Sequence, residues 1–241
     1  MKRRTSNFIR LSWTNRNVIT TLVMVCFVCP LFDIPSSESQ CQPIVLASAN
    51  LGTSAKTPKE IEYEVKAAFI YNFMKFVEWP PEKNNSEDSD SNPENRMVIG
   101  ILGVNPFGSA FGPILDKEVH GRKIHLLEIP SYQRFYETSG YENSAQAAYQ
   151  AKYQNSVRSC DVLFICDSER NHVSELLDLA AGNHILTVSD LPGFARRGGI
   201  IGFVKDNNKI RFEINLDAAQ KENIKIRSQL LTLAKEVYSS K

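Results

Sequence analysis

The chain has 241 residues, 42% of them hydrophobic and 23% charged, with a formal net charge of +1. That composition fits one globular domain, or a small domain with appendages. The charge shows no basic excess, so it gives nucleic-acid binding no support.

Positions 1–49 are of another kind. Lys2, Arg3, Arg4, Arg10 and Arg16 make a basic front, and Val18 to Phe32 is an apolar run without a charge. The run is short for a bilayer span, which takes about 20 residues, and reads with its basic front as a secretory signal. "ASA" at Ala47–Ala49 fits a small-x-small cleavage site but lies far past the apolar run. An earlier cut and an uncleaved anchor therefore stay open. Removing the five basic and two acidic residues of positions 1–49 turns the net charge from +1 to −2. The basic charge of the precursor thus belongs to export, not to a partner.

The folded part, 57–241, reads as a single domain. In "TPKEIEYEVKAAFIYNFMKFVEWPP" Thr57 and Glu60 make a capping box and Pro58 suits the first turn. Ile61, Val65, Ala68, Phe69, Phe73 and Phe76 recur at helical spacing, predicting a broad aromatic face. Residues 82–96 are almost wholly polar and read as a solvated loop. Then strands and helices alternate. "MVIGILG" is a buried-type strand and "NPFGSAFGPILD" a turn with a short helix. "RKIHLLEI" is a strand, and "SAQAAYQAKYQNSV" a helix. "DVLFIC" is a strand, "ERNHVSELLDLA" a helix, and "HILTVS" a strand. That alternation implies parallel pairing with helices on both faces. "GIIGFVK" and "KIRFEIN" about "DNN" predict an antiparallel hairpin, with Ile210, Phe212, Ile214 and Leu216 on one face and Arg211, Glu213 and Asn215 on the other. In "KIRSQLLTLAKEV" the residues Ile226, Leu230, Leu233 and Val237 form a helical stripe. The expected architecture is a three-layer α/β sandwich: a mostly parallel central sheet, a C-terminal antiparallel hairpin, and helices on both faces.

"SDLPGFARRGG" at 189–199 sets two arginines in a glycine-bearing loop after a strand. A phosphate loop needs a lysine and a Ser/Thr after its glycines, leading into a helix. Here the glycines lead into a strand, and no lysine is present. The loop reads as an exposed connection, with Phe194 either tucked beneath it or presented to a partner. Asp116, Glu118, His120 and His125 are metal-ligand types, but a helix end and turn would scatter them. No Gly-x-Ser-x-Gly elbow occurs, and nothing assembles an acid, a base and a nucleophile. The reading is therefore no enzyme, no cofactor and no metal. The face Arg211, Glu213, Asn215 is either the solvent side of a strand or a surface for a partner.

Export permits disulfides. Cys26 and Cys29 fall in the signal, leaving Cys41, Cys160 and Cys166. Cys160 and Cys166 flank an extended run that would hold their Cα atoms roughly 20 Å apart, whereas a disulfide needs about 4.4–6.8 Å. Either they are two buried thiols or the chain bends to bridge them.

Taken together, "KAAFIYNFMKFVEWP", "GILGVNPFG", "GRKIHLLEI", "CDVLFI", "ILTVSDLPGFARRGGIIGFV" and "IRFEINLDAAQKENIKIRSQLLTLA" closely resemble the YfiR family of exported bacterial proteins. The resemblance runs over about residues 60–238. The acidic stretch 82–96 and the tyrosine-rich stretch 131–155 depart from it. The resemblance implies a periplasmic α/β protein, commonly a homodimer, without known catalysis. It also implies restraint of a membrane-bound diguanylate cyclase through that enzyme's periplasmic sensor part, which lowers cyclic di-GMP and discourages biofilm formation. On that footing Phe194, Arg196 and Arg197, with Arg211, Glu213 and Asn215, are the candidate partner-binding residues, since arginine and aromatic side chains are the usual interface anchors. The competing reading is a periplasmic small-molecule-binding module that signals to a partner, with Phe69, Phe73, Phe76, Trp79 and Phe107 lining a pocket or simply packing as core.

Overall fold

The computed structural model describes residues 56–81, 96–137 and 144–240, all within one compact unit, Thr53–Lys241. The expectations for positions 1–49 and Cys41, and for nearly all of the stretch 82–96, lie outside these residues. Among the described residues no helix is long and apolar enough to cross a membrane.

Helix α1 (Pro58–Phe76) opens with the expected capping box: Thr57 Oγ1 accepts the Glu60 N–H at 3.2 Å, and Glu60 Oε2 accepts the Thr57 N–H at 2.6 Å. It runs into the short strand β1 (Val77–Glu78). Strand β2 (Arg96–Leu102) then enters the main sheet. A run of turns with a 3-10 segment at Gly112–Ile114 leads to the hairpin of β3 (Glu118–Val119) and β4 (Arg122–Ile129). Helices α2 (Tyr132–Glu137) and α3 (Ser144–Arg158) return the chain to β5 (Val162–Ile165). Helix α4 (Val173–Ala180) leads to β6 (Leu186–Ser189). The antiparallel hairpin of β7 (Ile201–Asp206) and β8 (Lys209–Asn215) follows. Its two-residue turn is made by Asn207 and Asn208, both at positive φ, as such a turn requires. The chain ends with α5 (Leu216–Lys221), β9 (Lys225–Ile226), α6 (Ser228–Leu233) and β10 (Glu236–Tyr238).

The main sheet has eight strands in the order β10-β8-β7-β6-β5-β2-β4-β3, and β1 pairs with β9 in a separate two-stranded ribbon. Pairing is parallel from β7 through β6, β5 and β2 to β4, and again between β8 and β10. The continuous apolar runs of β2 and β5 are explained by burial on both sides. Met97, Ile99, Ile101, Val162 and Phe164 face a core shared with α1 and the 107–114 segment. Leu102, Leu163 and Ile165 face a second core shared with α3 and α4. These three layers are the expected α/β sandwich, with helices on both faces.

Several local expectations need correction. The buried stripe of α1 is Tyr63, Lys66, Ala67, Ile70, Phe73 and Met74, whereas Ile61 is 50% exposed and Val65 39%. The true stripe is thus turned away from the anticipated one, with only Phe73 fully buried in both. "LDKEVHGRK" is not a helix end. It forms the β3–β4 hairpin, turned at His120 and Gly121. Helix α4 starts at Val173, after a 3-10 turn at Asp167–Glu169, rather than at Glu169. The C-terminal helix shrinks to the six residues of α6, and residues 236–238 become an edge strand. Leu230 is buried while Leu233 is exposed, so no four-residue stripe exists there.

The stretch 190–200 joins two neighbouring parallel strands, β6 and β7. Such a join needs a crossover of about a dozen residues, usually a helix. Here successive turns serve instead, closed by Phe194 N–H to Leu191 O, Arg197 N–H to Gly193 O and Gly199 N–H to Phe194 O. The Phe194 ring rests on Gly199, where any Cβ would come within 2.1 Å of it.

Candidate functional site

The crossover 190–200 and the strand β8 lie side by side. Asn215, the last residue of β8, caps α5 through Oδ1, which accepts the Ala218 N–H at 2.9 Å. Its amide Nδ2 donates to the carbonyl of Ala195 at 2.7 Å. Asn215 thus joins the end of β8 to the crossover.

The candidate partner-binding residues differ sharply. Phe194 is fully buried in the second core. Of the two sequence alternatives, the tucked position is the one adopted, and Phe194 has no surface to offer a partner. Arg196 and Arg197 are exposed but point apart. Arg196 Nε donates to Tyr238 Oη at 2.8 Å and its terminal nitrogen to Glu236 Oε2 at 3.2 Å. Its guanidinium also stacks over the Tyr238 ring, 5.2 Å from the centroid. Tyr238 in turn donates to Glu236 Oε2 at 2.9 Å. Desolvation of the phenol, with hydrogen bonds to Glu236 and Glu213, raises the Tyr238 pKa against the opposing pull of Arg196. Bonding to Tyr238 and then Glu236 likewise raises that of Arg196. Arg197 turns the other way, its guanidinium reaching the carbonyl of Arg170 at 3.4 Å. It rims a groove of about 410 Å³ between α4 and α5, floored by Leu177, Ile185 and Ile200. On β8, Glu213 is buried beneath this cluster, while Arg211 and Asn215 are half-buried. Glu236 belongs to the segment 225–237 whose sequence periodicity suggested a helix, and Tyr238 follows it directly.

Two buried ion pairs brace the region and its surroundings. Lys66 of α1 is nearly fully buried, with Nζ 2.6 Å from Asp190 Oδ2 and 2.7 Å from Glu62 Oε1. Tyr63 donates to the same Asp190 oxygen at 2.9 Å, which fixes the start of the crossover on α1. Arg122 grips Asp161 through two bonds, 3.0 and 2.9 Å, and Asp161 also accepts the Val98 N–H at 2.8 Å. From sequence Asp190 reads only as turn or cap chemistry beside Ser189, and no motif marks Lys66, Arg122 or Asp161 as buried charges. The phase of Lys66, three residues after Tyr63 and four before Ile70, was the available signal for its burial.

In an open parallel sheet a ligand crevice forms where neighbouring strands send their connections to opposite faces, beyond the strand C-termini. Here that point lies between β2 and β5. It is filled by the chain itself. The Glu169 carboxylate, 1% exposed, accepts the Tyr132 N–H at 2.9 Å and the Ser168 hydroxyl at 2.7 Å. Ser168 Oγ accepts the Val104 N–H at 3.0 Å. Gly103 approaches so closely that a Cβ there would fall 2.3 Å from Ser168 Oγ.

The cysteines flanking β5 are buried on opposite faces of the sheet, Cys160 in one core and Cys166 in the other, and are not bridged to each other. Burial, and then the Asp190 and Glu169 carboxylates, push the Cys166 thiol pKa far up. His120 sets Nε2 3.0 Å from the Met74 carbonyl and 3.2 Å from that of Val77, at the end of α1. The aromatic set Phe69, Phe73, Phe76, Trp79 and Phe107 belongs to the first core. Phe73 lies 4.9 Å from Phe212 in an edge-on contact.

The pattern of a family described as YfiR/HmsC-like matches residues 63–235. No curated protein matches the chain. Among solved structures, a conserved domain protein from Vibrio cholerae is 13% identical with a TM-score of 0.46, over 73% of this chain and 60% of that one. An ABC domain from Streptococcus pneumonia, solved in complex with L-Trp, is 12% identical with a TM-score of 0.40, over 61% of this chain and 56% of that one. The chain thus spans less than two thirds of the length of either.

Proposed function

The chain belongs to the YfiR/HmsC-like family, and from that membership we propose that it is an exported, periplasmic regulator of cyclic di-GMP signalling. It restrains a membrane-bound diguanylate cyclase by binding the cyclase's periplasmic sensor region, lowers cyclic di-GMP and so disfavours biofilm. It acts as a homodimer and as a binding protein rather than an enzyme. The observation that carries this reading is the family match across residues 63–235, which takes in α1 from Tyr63 onward, every described strand of the main sheet except β10, and the crossover. The geometry of the β2/β5 crevice supports it, because Glu169 and Ser168 occupy the place where a nucleotide or small substrate would sit.

The partner-facing residues are Arg196 and Arg197 of the crossover with Arg211 of β8, supported from beneath by Glu213 and Asn215. Phe194 holds the crossover in place from the inside. Removing the gene should raise cellular cyclic di-GMP, and the rise should vanish when the cognate cyclase gene is removed as well. Unchanged cyclic di-GMP in the single deletion would reject the regulatory reading.

A further inference from the structure

The crossover begins at Asp190, directly after β6, and is built of turns rather than a helix. Its first side chain enters a row of four alternating charges. Asp190 Oδ2 stands 2.6 Å from Lys66 Nζ. The same ammonium lies 2.7 Å from Glu62 Oε1, and the other Glu62 oxygen lies 2.6 Å from Lys205 Nζ on β7. Tyr63 donates to Asp190 at 2.9 Å and also offers its ring to Lys66, whose Nζ is 4.2 Å from the centroid. The row therefore joins the crossover, α1 and the β7–β8 hairpin. It is neutral in sum, and it opens outward: the side chains of Lys66, Asp190, Glu62 and Lys205 are 4, 13, 19 and 68% exposed. Ion pairs as buried as Lys66–Asp190 are a poor source of net stability, because the desolvation of both charges offsets most of their attraction. An apolar side chain at 66 would suit the core around Tyr63, Ala67 and Ile70. It would not fix a distance and a direction between two elements, as a charged hydrogen bond does.

We propose that Lys66 and Asp190 are positioning residues for the partner-facing surface, holding the crossover and the β7–β8 hairpin in one placement on α1. The two ends of the row lead to the arginines. Arg196 and Arg197 lie further along the crossover that Asp190 begins. Arg211 is paired across the hairpin with Val204, the chain neighbour of Lys205. Each arginine thus sits on an element that the row ties to α1. Burial of Phe194 in the second core, and the contact of Phe203 with Phe73, supply the attraction that keeps these elements on the body of the protein. The ion row selects one placement among those that such non-directional packing would tolerate. The inference rests on the regulatory reading only for the use of the surface so positioned.

The test is the double variant Lys66→Met with Asp190→Asn. It removes both charges together, leaves Tyr63 an acceptor at residue 190, and leaves Glu62 its partner Lys205. It should melt close to the wild type, because no lone charge is left buried. The amides of Phe194, Arg197 and Gly199 close the turns of the crossover. In hydrogen exchange they should open about tenfold faster than in the wild type. In cells the double variant, present at the wild-type level, should lose most of its lowering of cyclic di-GMP. Ile129→Val is the control, a second-core substitution on β4, three strands from β6. It should melt below the wild type yet repress fully. If repression simply followed stability, this control would be the weaker of the two. Wild-type exchange in the crossover of the double variant overturns the proposal. Full repression by the double variant, in cells where the wild type represses, overturns it too. Where the wild type itself leaves cyclic di-GMP unchanged, the regulatory reading falls and the exchange result alone decides the positioning. Should the double variant fail to fold, Tyr63→Phe, which removes only the hydroxyl bond to Asp190, takes its place, and unchanged exchange there overturns the proposal.

Discussion

Asn215 ends β8 with its side-chain amide 2.7 Å from the carbonyl of Ala195, joining the strand to the middle of the crossover. The same side chain caps α5 through the Ala218 N–H. Asn215→Ala removes both contacts. An N-cap is worth about 1 kcal/mol and a hydrogen bond to a half-buried carbonyl about as much. The variant should lose about 1–2 kcal/mol in urea unfolding and should speed hydrogen exchange of the amides at 195–199. Asn215→Asp keeps the cap but loses the amide donor, and should recover about half of the lost stability.

Arg196 and Arg197 offer a test of the regulatory surface that leaves the core alone. Arg196 pairs with Glu236 in the open, with side chains 63% and 48% exposed, and such pairs contribute little to stability. Replacing both arginines with glutamate should leave the circular dichroism spectrum intact and shift stability by no more than about 0.5 kcal/mol. Like-charge contact at an interface costs several kcal/mol. In cells the variant should therefore fail to lower cyclic di-GMP. Repression equal to wild type would move the contact to Arg211 and its surroundings.

Phe73 and Ile61, both on α1, differ sharply in burial. Phe73 is fully buried against Phe203 and Phe212, while Ile61 is half in water. Phe73→Ala should cost about 3–5 kcal/mol. Ile61→Ala should cost less than about 0.5 kcal/mol, as at other surface positions. Denaturant midpoints for the two variants, compared at equal slope, check the phase of the helix directly.

Glu62 couples stability to acid. Burial opposes its ionised form, but hydrogen bonds from Lys205 and Lys66 outweigh burial and hold its pKa below the usual value. A carboxylate with a lowered folded-state pKa contributes stability that is complete above the unfolded value, about 4.3. That contribution fades as pH falls through the lowered folded value. Glu62→Gln should therefore be less stable than wild type at pH 7. The difference should shrink steadily below about pH 4.3. A gap that stays constant down to pH 2.5 would show that the acid term comes from another carboxylate.

Local chemistry in the sequence was enough for much of this molecule. The Thr57–Glu60 box, the apolar runs of β2, β5 and β6 and the Asn207–Asn208 turn each act over a few residues, so their conformation is written in their neighbours. The strand–helix alternation carried the parallel sheet and its two covered faces, and the ordered phrases from Lys66 to Ala234 carried the family. Tertiary structure decided the rest. The apolar residues of α1 cover most of its circumference, and only the sheet beneath selects the side that contains Lys66, because Asp190 waits there to neutralise it. Phe194 looked equally suited to a surface or a core until the crossover folded over Gly199. The final residues had helical spacing, but the open edge of β8 offered backbone partners that an isolated two-turn helix could not match, and that competition placed Glu236 and Tyr238 beside Arg196. Partners distant in sequence, each supplying a charge, a cavity or an unpaired main-chain group, settled what local propensity left undetermined.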